Sequence, residues 1–174
     1  MLSAPIVVTP PEGDVIDPAK MKLFLRIDGD DLDGEIADYV TGVAAEIERM
    51  TSIRLQEQVV QIQADNFDDL RHLNVGPVAE VVSLSYRDRS GAEIAVADGA
   101  YELFGTDLDR GIRPAPGLSW PVPVAGSVRV TMKVGYGESL PPSLSIALKE
   151  AVRARFDGTT FDLFAATVND RIWL

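Results

Sequence analysis

The 174-residue chain has no cysteine and a single histidine, His72. The first absence excludes disulfides, thiolate metal sites and cysteine nucleophiles, and the second excludes any site needing two imidazoles from one chain. Positive charge is also scarce, with 16 Lys and Arg against 27 Asp and Glu and a net charge of -11. Tight sequence-independent binding to nucleic acid draws its affinity from cations that displace counterions, so it is not expected here. An acidic wall does allow DNA to pass without sticking. No apolar run approaches the ~20 residues of a membrane helix, and Met1 to Thr9 does not read as a signal peptide. At 46% hydrophobic and 25% charged, the composition is that of one globular domain with a substantial core.

The most regular stretch runs from Ser127 to Phe156. Val128, Val130, Met132, Val134 and Tyr136 alternate with Ser127, Arg129, Thr131 and Lys133, the period of a strand with one buried face. Gly135, Gly137 and Pro141-Pro142 break it, and Leu144, Leu148, Ala151 and Val152 then follow a helical spacing. Near the start, Ile6 to Val8 reads as a short strand in an extended arm. Asp17 is placed to cap a helix opened by Pro18 and reaching about Ile27. Leu32, Ile36, Val40, Val43, Ile47 and Met50 form one apolar stripe on a second, longer helix. From Leu55 to Tyr136 the pattern is of strands: around Val60 to Ala64, Val78 to Tyr86, Glu93 to Val96 and Tyr101 to Phe104. A turn is expected at Arg89-Ser90-Gly91, and Gly105 to Val124 is expected to be a long loop. The fold class is therefore α+β: an N-terminal helix pair, a central antiparallel β block, and a C-terminal helix followed by an extended apolar arm.

No motif in the chain carries catalysis. The acidic run Asp28 to Glu35 fails as a calcium loop, because Leu32 and Asp33 occupy the fifth and sixth positions where a ligand and glycine are required. It reads instead as a helix start capped by Asp30 or Asp31. Gly135-Tyr136-Gly137 reads as a strand-ending turn, and no phosphate-binding Gly-rich run is present. His72 has no Gly-x-Ser-x-Gly elbow to serve and reads as a surface or partly buried residue. A small hydrolase using unpaired carboxylates near Gly105 to Trp120 is an alternative, although nothing in the spacing of the acidic residues favours any pair. Lys149, Arg153 and Arg155 on the late helix read either as a solvated face or as contacts with acidic surfaces of neighbouring copies. The terminus is unusually apolar: Phe161, Leu163, Phe164, Val168, Ile172, Trp173 and Leu174, with Arg171 among them. It either folds back on its own core or gains burial on a partner, and the partner arm is the favoured reading.

Taken in order, these segments resemble a known family. Asp17-Pro-Ala-Lys-Met-Lys-Leu-Phe-Leu-Arg-Ile-Asp28 is similar to its opening helix, and Ile36 to Thr51 to its second. Gly76-Pro77-Val78 to Tyr86, Gly91 and Tyr101 resemble its central strands. Trp120-Pro121, Val128 to Gly137 and Pro141-Pro142 to Phe156 resemble its closing strand and helix. The family is that of the head–tail connector (adaptor) proteins of long-tailed phages and phage-derived gene transfer agents, matched over about residues 15 to 158. The resemblance implies a non-enzymatic protein without cofactor or metal, made in the bacterial cytoplasm and placed in the neck of the particle. It further implies a ring, usually of twelve copies, beneath the portal protein, extending the DNA channel and meeting a stopper or tail-completion protein. Residues 1–158 are then the connector domain and 159–174 the portal-docking arm. Phe161, Leu163, Phe164, Val168, Arg171, Ile172, Trp173 and Leu174 would bind the portal, and Lys149, Arg153 and Arg155 would lie between subunits. Another neck role, stopper or tail completion, is the nearest alternative.

Overall fold

Pro18 opens helix α1 (Pro18–Leu25) in the computed structural model, which describes residues 1–137 and 140–173. Asp17 caps it as expected, its carboxylate accepting from the Ala19 amide at 2.9 Å. The helix stops at Arg26, whose left-handed backbone turns the chain. Helix α2 (Asp33–Thr51) buries Ile36, Val40, Val43 and Ile47, the centre of the expected stripe. Its cap departs from expectation. Leu32 holds the cap position and offers no side-chain bond. Asp30 and Asp33 instead hold Lys22 Nζ at 2.7 and 2.9 Å, tying α1 to the start of α2. Asp33 and Glu35 still place negative charge in the first turn, where the helix dipole favours it.

The main sheet is antiparallel throughout, in the order β1 (Ile6–Thr9), β2 (Gln58–Ala64), β7 (Val128–Val134), β3 (Val78–Arg87), β4 (Glu93–Ala95). Strand β7 is central, pairing with β2 on one side and β3 on the other. Val128, Val130, Met132 and Val134 point to one buried face and pair in register with Ala64, Ile62, Val60 and Gln58 of β2. The opposite face is polar, with Lys133 held by Glu57 at 2.8 Å. Over the buried face lie Phe67 and Leu70 from a 3-10 turn (Phe67–Arg71), with Leu73, Val75, Ile112 and Trp120.

Phe67 is 2% exposed, stacked on Trp120 with ring centroids 4.5 Å apart and edge-on to Tyr86 at 5.5 Å. Replacing Phe67 with Ala should therefore lower the unfolding free energy by about 3–5 kcal/mol, read from urea denaturation. A loss below about 1 kcal/mol would contradict this packing.

The expected Gly105 to Val124 loop is only partly a loop. Strand β5 (Tyr101–Thr106) turns at Asp107-Leu108 into β6 (Asp109–Pro114), and the two pair residue for residue from Tyr101–Pro114 to Thr106–Asp109. The glycines that read as breakers fit the hairpin for a tertiary reason. Strand β6 crosses the 3-10 turn so closely that a Cβ on Gly111 would lie 2.0 Å from the Arg71 carbonyl oxygen.

A second apolar core lies among the helices. Met21, Val43, Ile47, Ile53 and Leu55 meet Leu144, Leu148 and Val152 of α3 (Pro142–Phe156). The α+β class stands, but the terminal segment takes a more compact form than an extended arm. Asp162 caps a short helix, α4 (Leu163–Ala166), accepting from Ala165 N at 2.9 Å. The chain then returns to α2, where Ile172 N donates to Thr51 O at 2.9 Å.

Candidate functional site

The expected docking residues divide into two sets by burial. Leu163 and Arg171 are 7% and 8% exposed, and Ile172 packs on the helical core. These anchor the segment to its own chain. Phe161, Phe164, Val168 and Trp173 are exposed at 38%, 54%, 37% and 71%. Leu174 lies outside the described residues. The fold-back reading therefore holds for Leu163, Arg171 and Ile172, while Phe161, Phe164, Val168 and Trp173 are left exposed.

Arg171 organises the outward set. Its guanidinium lies 3.9 Å from the Phe164 ring centroid and 5.3 Å from that of Trp173. Its Nη2 donates to Phe164 O at 3.2 Å and to Thr167 Oγ1 at 3.5 Å. Beside it opens a cleft of about 400 Å³ lined by His72, Leu73, Leu108, Asp109, Ile172 and Trp173 as well as Arg171. His72 Nδ1 faces Asp109 Oδ1 at 3.6 Å, both well exposed. Close by, burial and then the negative charges of Asp170 and Asp107 raise the pKa of the Tyr136 hydroxyl above the usual tyrosine value.

The cleft draws on residues that sequence reasoning did not assign to it. Leu108, His72 and Asp109 come from the hairpin and the segment after the 3-10 turn. The one signal was Leu108, an apolar residue at a turn between two aspartates. Two of the three side chains expected between subunits are already used within the chain. Arg153 lies 4.2 Å over the Phe24 ring, donates to Phe24 O at 3.0 Å and faces Glu150 at 3.6 Å. Arg155 pairs with Glu46 of α2. Both brace α3 against the first two helices. Lys149 is half-buried on the same helix.

The hydrolase alternative required facing acids near Gly105 to Trp120. The cleft beside that segment presents a single carboxylate, Asp109. Among the described residues no cluster of three or more His, Asp or Glu is placed to hold a metal ion, and no helix is long and apolar enough to cross a membrane.

No protein-family model matches the chain, and no curated protein matches it. Solved structures do. A chain of the virion of a native gene transfer agent (GTA) particle matches at TM-score 0.79 and 24% identity, over 99% of this chain and 97% of that one. A chain in the neck of an empty GTA particle, computed with C6 symmetry, matches at 0.78 and 22% over the same shares. A chain in the neck of a native GTA particle, computed with C12 symmetry, matches at 0.67 and 25%, over 96% of each. This chain has the fold of a GTA neck protein. The match covers nearly the whole chain, the terminal segment included.

Proposed function

We propose that the chain is a structural head–tail adaptor, forming a ring of twelve copies beneath the portal, joining capsid to tail and extending the DNA channel. The observation that carries this reading is the whole-length likeness to chains of gene transfer agent necks. The twelve-fold symmetry used for one of those necks supports the copy number. Ring formation needs two different patches on each copy, because cyclic assemblies close through heterologous contacts. The net charge of -11 suits a conduit that must not grip DNA. The protein works by binding rather than by catalysis. Its partners are the portal, its own neighbours and the next neck protein, with DNA passing unbound.

Within this reading Phe161, Phe164, Val168 and Trp173 are the docking contacts. Leu163 and Ile172 act one step back, holding the segment against α2 and the helical core. An apolar surface held in place before docking loses less entropy on binding than a free arm. In this proposal residues 159–174 are the docking segment of a 1–158 connector domain.

Electron microscopy of portal rings from the same gene cluster, with and without this chain, tests the proposal. The expected result is an added layer with the symmetry of the portal. A well-folded chain that adds no layer would overturn the adaptor role and favour stopper or tail completion.

A further inference from the structure

Arg171 is nine-tenths buried, and among the described residues its Nε has no hydrogen-bond partner. Among the described residues no carboxylate pairs with it. Asp109 lines the same cleft but lies within ion-pair range of His72. Arg153 and Arg155, by contrast, pair with Glu150 and Glu46. A guanidinium withdrawn from water without a carboxylate is costly. The Phe164 and Trp173 rings and two neutral oxygens recover only part of that cost. The position is therefore poised to gain from an incoming anion.

We propose that Arg171 receives an Asp or Glu carboxylate of the docking partner, which enters the cleft between Leu108, Ile172 and Trp173 together with an adjoining apolar side chain. This rests on the adaptor reading and names the chemistry that the portal must present at this site. A carboxylate matches the planar fork of a guanidinium that aromatic rings already hold in place. Leu73, Leu108 and Ile172 give the cleft an apolar side, against which a docked partner would exclude water and so strengthen the pair. Arginine and tryptophan at the centre of a contact surface are also the side chains on which binding energy concentrates.

The test uses portal rings and the full chain. Arg171→Lys keeps the charge and loses the fork, and docking should weaken by about tenfold or more. With that variant docked, a carbodiimide should condense the amine introduced at position 171 with a partner carboxylate, losing water to form an amide that mass spectrometry locates. Coupling to a portal Asp or Glu is the expected result. Coupling only to a carboxyl group of this chain, the terminal carboxylate of Leu174 included, would overturn the proposal, as would docking at full strength. If Arg171→Lys lowers the melting temperature, Trp173→Ala keeps the idea falsifiable. That side chain is 71% exposed and its ring lies 5.3 Å from the guanidinium, so docking should fall about tenfold while melting drops by no more than a few degrees, and full-strength docking by this variant counts against the site. Failure of the unaltered chain to dock would overturn the adaptor reading and this proposal with it. Normal docking by the unaltered chain with no effect of Arg171→Lys would overturn this proposal alone.

Discussion

Replacing Gly135 with Ala should destabilise the chain by about 3 kcal/mol or more, a large share of the ~5–15 kcal/mol that holds a typical domain folded. Gly135 follows β7 at φ +100°, a backbone region that side chains rarely adopt. Its amide donates to Pro77 O at 2.8 Å. On the other side, a Cβ would lie 2.0 Å from the Gln56 carbonyl oxygen and 2.6 Å from its carbon. Backbone therefore hems the residue in from two directions, and no flexible side chain can move aside. The substitution carries both the cost of an unfavourable φ and that of overpacking. Urea denaturation checks it. Gly137→Ala is the control, with nothing within 4 Å of its Cβ and no positive φ, and it should change stability by less than about 0.5 kcal/mol. Equal stability of the two variants would refute the close approach of Gln56 to the strand end.

The second large effect concerns assembly. Changing Phe161, Phe164 and Trp173 together to Ala should abolish docking on portal rings, weakening it by at least about a hundredfold. The isolated chain should keep its fold, because all three rings are exposed and the segment stays anchored by Leu163, Thr167 and Ile172. The melting temperature should shift by no more than a few degrees. Removing residues 159–174 outright is a poorer test. That deletion also takes away the buried Leu163 and the Ile172–Thr51 hydrogen bond, and confounds docking with stability. Docking of the triple variant at full strength would show that the portal meets another surface.

The division within the terminal segment has a consequence for how such a surface assembles. Leu163, Thr167 and Arg171 recur every four residues and turn inward. Phe164 and Val168, one position later, turn outward. Spacing of this kind separates an anchored face from a presented one in about two turns of chain. Under the adaptor proposal, the exposed aromatics would be held in place before a partner arrives.

Local patterns were enough for the helices and most strands. The Ile36 to Ile47 stripe, the Asp17-Pro18 start and the alternation of β7 each depend on residues a few positions apart. The order of these segments also sufficed for a resemblance whose fold the neck structures share. Tertiary structure decided the rest. Strand β6 was hidden because Gly105, Gly111 and Pro114 read locally as breakers, whereas Gly111 is needed for contact with Arg71, forty residues earlier in sequence. Helix α2 starts later than the acidic run suggests, with Leu32 at its cap and Asp30 drawn to Lys22 on another helix. The cleft around Arg171 joins residues from 72 to 173. Periodicity records which face of an element is buried. What covers that face, and which side chains are left outside, depends on contacts between distant parts of the chain, and these leave no mark in a local window.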